Sequence, residues 1–164
     1  IPGNTSLLRP LGDTNSSFSL SAWFKTSKTY TTPGIIVGKD DGGHPYFRMV
    51  IGSAQLSATL YAPPLSSSVG STSIVNDNSW HHGVFVRDTV FDKLYLYLDG
   101  ILVGPATNDT TIATSGNSIN VSIGNGGNNY TQYPFSGSID DVRIYIKALS
   151  APEVTVLASG CTSP

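Results

Sequence analysis

Along most of the chain, short runs of β-branched and aromatic residues alternate with polar ones, the two-residue period of strands that bury one face. From Phe18 to Lys25, one face carries Phe18, Leu20, Ala22 and Phe24 and the other carries Ser19, Ser21, Trp23 and Lys25. Further runs cover Gly34 to Lys39, Tyr46 to Gly52, Ala54 to Ala62, His81 to Asp88, Lys93 to Gly100, Ile101 to Gly104, Ser118 to Asn125 and Asp141 to Leu149. About nine strands at this spacing predict an all-β, antiparallel two-sheet sandwich. Asp99-Gly100, set between "LYLYL" and "ILV", predicts a two-residue type I′ hairpin, which needs positive φ at both central positions. Ser150 and Glu153 have the spacing of a capping box, with the serine hydroxyl placed to accept from the Glu153 amide. They predict one short C-terminal helix from Ser150 to about Leu157. The serine-rich stretch Leu65 to Ser73 is expected to be a loop.

Composition narrows the function classes. The chain has 164 residues, enough for one core, and only 12% are charged. Such a low charge suits outer faces built from hydroxyls and amides. The net charge is −2 and no basic run could neutralise a row of phosphates, so nucleic acid is not an expected partner. No stretch approaches the roughly eighteen apolar residues that span a bilayer, so membrane insertion is not expected either. The single cysteine, Cys161, rules out an internal disulfide. Residues 1–158 are expected to form one domain, and residues 159–164 a tail, a linker to a neighbouring domain or a cloning remnant.

Three segments in order carry a family pattern: "SFSLSAWFKTS", "SWHHGVFVRDTVFDKLYLYLDGILVG" and "VSIGNGG" followed by "YPFSGSIDDVRIYIKALSAPEV". This set resembles the laminin-G-like group of the concanavalin-A-like lectin/glucanase superfamily, from Ser17 to about Leu157. The resemblance implies a jelly-roll sandwich, often with bound calcium. It also implies a non-catalytic role in a secreted or cell-surface modular protein, attached to glycans or to protein partners. Trp80 matches the tryptophan that opens a strand in this group and is expected to pack in the core or at an edge. Fold alone leaves the ligand open.

The superfamily also contains glycoside hydrolases, which need two carboxyl groups held roughly 5 to 9.5 Å apart. The chain has one glutamate, Glu153, already used as a helix cap. Asp40 and Asp41 lie in a glycine-rich loop that would hold neither rigidly. His81 and His82 are adjacent on a strand, so they point to opposite faces and cannot share a metal; one is expected to be packed and one exposed. Catalysis is disfavoured.

Along the last strand Val142, Ile144 and Ile146 share the core-facing parity, and Asp140 falls on it too. An inward carboxylate must be paired, hydrogen-bonded or bound to a cation. In the resembled family this aspartate often helps to hold structural calcium with an acidic residue near the N-terminus, here Asp13. The alternative is that Asp140 accepts from backbone amides in the turn after Ser136-Gly137-Ser138.

Ligand-binding residues are sought on loops carried by a rigid sandwich. Lys39 to Tyr46 contributes Asp40, Asp41, His44 and Tyr46; Gly124 to Phe135 contributes Asn125, Asn128, Asn129, Tyr130 and Tyr133. In the resembled fold the two loops can share one rim. Amides meet sugar hydroxyls and an exposed ring meets a sugar's C–H face, so the expected partner is a polysaccharide or other glycan. The alternatives are that these residues serve the turns themselves, or that the domain binds a protein partner. Trp23, on the polar parity of its strand, is a second candidate platform.

Overall fold

The structure is a computed structural model and describes residues 16–40, 42–43, 46–111, 120–126 and 132–160. The elements are β1 (Phe18–Lys25), β2 (Gly34–Lys39), β3 (Tyr46–Gly52), β4 (Gln55–Ala62), β5 (Leu65–Ile74), β6 (Trp80–Asp88), β7 (Lys93–Leu98), β8 (Ile101–Leu102), β9 (Thr107–Asn108), β10 (Ser122–Ile123), β11 (Ser138–Tyr145) and α1 (Ala151–Gly160). Two antiparallel sheets stack face to face. The first runs β11-β1-β6-β7-β8 with β9 also on β7, and the second runs β10-β2-β3-β4-β5.

The core lies between the sheets and follows the sequence alternation. Phe18, Leu20, Ala22 and Phe24 of β1 meet Phe47, Met49 and Ile51 of β3 and Leu56, Ala58 and Leu60 of β4, all buried. Each fully buried Phe, Leu, Ile or Met among them contributes about 1.5–3 kcal/mol. Gly83 lets the sheets approach, since a Cβ there would stand 3.1 Å from Leu56 and 3.2 Å from the Met49 sulfur. Arg87 closes one end of the core, its Nε donating to Asp109 Oδ2 at 2.7 Å with both side chains almost fully buried.

The predicted hairpin forms: Asp99 and Gly100 have φ of 51° and 81°, and Leu98 pairs with Ile101. The helix cap also forms, with a different donor pattern. Glu153 Oε2 accepts from both the Ser150 amide and the Ser150 hydroxyl at 2.8 Å. Glu153 also binds Lys147, and this contact first, with the Ser150 bonds after it, pulls its pKa down to about 2. The helix runs to Gly160, past the expected end.

Leu65 to Ser73, expected as a loop, is instead most of β5. It pairs with β4 as an edge strand, with Ser67, Val69 and Ser71 turned inward. Of the strand expected over Ser118 to Asn125, Ser122–Ile123 is described as β10.

The outer faces of the two sheets differ, and that difference positions the candidate site. On the first sheet Val84, Val86 and Tyr97 meet Leu149 and Val154, so the C-terminal helix lies over that face. Trp23 shares this face and is buried against His82, ring centroids 5.1 Å apart, so it is no exposed platform. His82 is the packed histidine of the pair. His81 is half-buried, with its ring between Asp99 Oδ2 at 2.9 Å and Asp77 Oδ1 at 3.2 Å. On the second sheet, residues of the opposite parity from the core turn tyrosine, arginine, serine and threonine outward.

Candidate functional site

Strand register fixes the outer face of the second sheet. Tyr46 pairs with Tyr61, which pairs with Ser66. In the next row Gly38 pairs with Arg48, Arg48 with Thr59 and Thr59 with Ser68. Rows of one parity stack as neighbours on a pleated sheet, so side chains two residues apart touch. The result is a half-buried surface with rings at one side and small hydroxyl residues at the other. Ser68 Oγ donates to Thr59 Oγ1 at 3.1 Å.

Arg48 organises the cluster. Its Nη1 donates to Asp40 Oδ2 at 2.8 Å, and that carboxylate is 1% exposed. Asp40 Oδ1 also accepts from the Gly42 amide at 2.8 Å, which holds the carboxylate in place. The Arg48 Cζ lies 4.8 Å from the centre of the Tyr46 ring and 5.1 Å from that of Tyr133. Tyr46 in turn packs on Tyr61 with ring centres 4.9 Å apart. Burial raises the Tyr46 phenol pKa, opposed by the Arg48 charge, so at neutral pH the hydroxyl stays protonated and can donate.

Tyr133 reaches this surface from the far side of the chain. Its carbonyl accepts from the Ile35 amide at 3.0 Å, tying the segment before β11 to the start of β2. Of the expected ligand-binding residues, Asp40, Tyr46 and Tyr133 therefore meet around one guanidinium. Asn125 has a different role: its Oδ1 accepts from the Gly126 amide at 2.9 Å and its carbonyl from Ser122 Oγ at 2.7 Å, both within a turn. Asp41, His44, Asn128, Asn129 and Tyr130 lie outside the described residues, as do Asp13 and Cys161. The sequence reading missed Arg48, Thr59 and Tyr61, which are on the sheet face and not on the loops.

The inward placement of Asp140 needs correction. Ser21 pairs with Arg143, yet Trp23 pairs with Asp140, so Ala22 faces two residues, Asp141 and Val142. Asp141 takes φ of 45° in this bulge. A bulge inverts the parity beyond it. Ile139, Val142 and Ile144 pack on the core, while Asp140 is exposed and its Oδ1 accepts from the Asp141 amide at 2.8 Å. Ile146, also expected inward, is past the end of β11 and exposed. Calcium takes roughly six to eight oxygens. Among the described residues no group of three or more acidic, histidine or cysteine side chains could hold a metal ion. Asp13, the partner expected for Asp140 in a calcium site, lies outside the described residues.

With this geometry in place, comparison with known proteins fixes the family. A family model described as the concanavalin A-like lectin/glucanases superfamily matches residues 3–155. The chain belongs to that superfamily. Among solved structures, this lectin/glucanase-type domain resembles the carbohydrate-binding module CBM40 of the Ruminococcus gnavus IT-sialidase bound to α2,3 sialyllactose. The TM-score is 0.73 at 19% identity, over 88% of this chain and 83% of that one. It also resembles domain 4 of AbnA, an extracellular arabinanase from Geobacillus stearothermophilus, in complex with arabinotriose. There the TM-score is 0.72 at 21% identity, over 92% of this chain and 69% of that one. A botulinum neurotoxin type C structure, from work on cell entry through two ganglioside molecules, matches with TM-score 0.70 at 16% identity. It covers 97% of this chain but 38% of that one. At these identities the likeness shows the fold. Among curated proteins there is no sequence match.

Proposed function

We propose that this domain is a non-catalytic carbohydrate-binding module that grips glycan with Tyr46, Arg48, Tyr61 and Tyr133 on the outer face of the second sheet. The observation that carries this reading is the arginine held by a buried carboxylate against two tyrosine rings, beside a row of hydroxyls. Rings offer faces to the C–H side of a sugar, and the guanidinium, phenols and hydroxyls supply directional donors and acceptors. Structural neighbours solved with sialyllactose and arabinotriose support a sugar as the ligand class. The carboxyl group described in this cluster, Asp40, is buried and paired, so it is poorly placed to work as one of the two acids of a glycosidase. In this reading the domain acts outside the cell as part of a larger secreted or surface protein and keeps its neighbours close to polysaccharide.

Calorimetric titration with arabinotriose and 3′-sialyllactose tests the proposal. Binding of at least one sugar is expected. Tyr61→Ala should weaken it about tenfold, whereas Tyr145→Ala, on the opposite sheet, should leave it unchanged. Binding that survives Tyr61→Ala intact and disappears in a folded Tyr145→Ala would overturn the reading.

A further inference from the structure

Arg48 carries a feature that the general reading does not use. Its Nε is buried and has no hydrogen-bond partner. Unpaired buried donors are uncommon because leaving one without an acceptor is costly. Here the orphan belongs to a cation on a sheet face that otherwise offers rings and hydroxyls.

The shape of the guanidinium defines what would satisfy it. Nη1 is committed to Asp40, and the guanidinium carbon lies over the Tyr46 and Tyr133 rings. The edge that Asp40 leaves unused is the one shared by Nε and Nη2, whose N–H bonds are parallel. A hydroxyl meets one of them, while the two coplanar oxygens of a carboxylate meet both, with charge assistance. Asp40 sits on the other side of the guanidinium and holds it in one orientation, so less freedom is lost on binding.

Building on the glycan reading of this surface, we infer that the site selects sugars that carry a carboxylate, received in plane by Nε and Nη2 of Arg48 while the tyrosines pack on the sugar ring. A uronic acid within a polysaccharide and a terminal sialic acid share this chemistry. Nε is buried, so seating the carboxylate requires the groups packed over that atom to shift.

The test titrates the intact chain with two matched pairs: 3′-sialyllactose against lactose, and a galacturonic acid trisaccharide against its methyl ester. In at least one pair the free acid should bind roughly tenfold tighter or more, and the pair that shows the preference identifies the source. Arg48→Lys keeps the charge but lacks the fork, so its preference should fall close to one, with a melting curve confirming that it is folded. The ester comparison uses the unaltered protein and decides the matter even if that variant does not fold. Equal affinity within both pairs, or a preference that persists in folded Arg48→Lys, overturns the inference. If arabinotriose still binds through Tyr61 in that case, the glycan reading stands; if no sugar binds, both fall.

Discussion

Gly38 and Arg48 face each other so closely across β2 and β3 that a Cβ on Gly38 would stand 2.8 Å from the Arg48 Cβ and 2.9 Å from the Phe47 carbonyl oxygen. The missing side chain lets Arg48 lie low on the sheet, within reach of Asp40. Gly38→Ala should push the strands apart and displace the guanidinium, at a cost of about 1–3 kcal/mol. Urea unfolding checks the stability loss, and sugar titration should show a parallel loss of affinity.

Asp40 serves two partners at once, the Arg48 guanidinium and the Gly42 amide. Asp40→Ala leaves both unpaired and should cost about 2–4 kcal/mol. Asp40→Asn retains an acceptor but not the charge and should cost less. Denaturant midpoints of the two variants, measured side by side, separate the contribution of the charge from that of the hydrogen bonds.

The adjacent histidines should pull stability in opposite directions with pH. The hydrogen bond to Asp99 raises the His81 pKa above its ordinary value of 6.5, with burial opposing it. Its contribution is fully present below 6.5 and fades as pH rises through the elevated value. Burial holds the His82 pKa below 6.5. Its contribution is present above 6.5 and is lost as pH falls through the depressed value. His81→Gln should therefore leave a domain that loses stability on acidification, and His82→Gln one that loses it on alkalinisation. Melting temperatures between about pH 5 and 8 provide the measurement.

Much of the fold was legible because local chemistry and tertiary structure agree. Asp99-Gly100 has the residues that a type I′ turn requires, and β1 keeps an unbroken alternation. The errors arise where that alternation is interrupted or thin. In β5 a single inward apolar residue, Val69, carries the period between Ser67 and Ser71, so the serines read as loop. In β11 the bulge at Asp141 inverts a parity that had been extrapolated back from Val142. The cluster around Arg48 was legible only in part. Composition drew attention to Asp40, Tyr46 and Tyr133, but Arg48 and Tyr61 are strand residues whose meeting depends on the pairing of Tyr46 with Tyr61, which one strand alone does not reveal.

Because Asp140 is exposed and, among the described residues, accepts only from the neighbouring Asp141 amide, Asp140→Asn should change the melting temperature little in chelator. A drop of several degrees on adding chelator to the unaltered protein, absent in the variant, would assign Asp140 a metal-binding role. Differential scanning calorimetry settles it.

The account depends most on where a sugar touches the domain. Amide chemical shifts recorded during titration with 3′-sialyllactose or arabinotriose locate that contact directly. The expected shifts centre on Tyr46, Arg48, Thr59, Tyr61 and Tyr133, with α1 silent. Shifts confined to the helix-covered sheet, around Val84, Tyr145 and Val154, would contradict it.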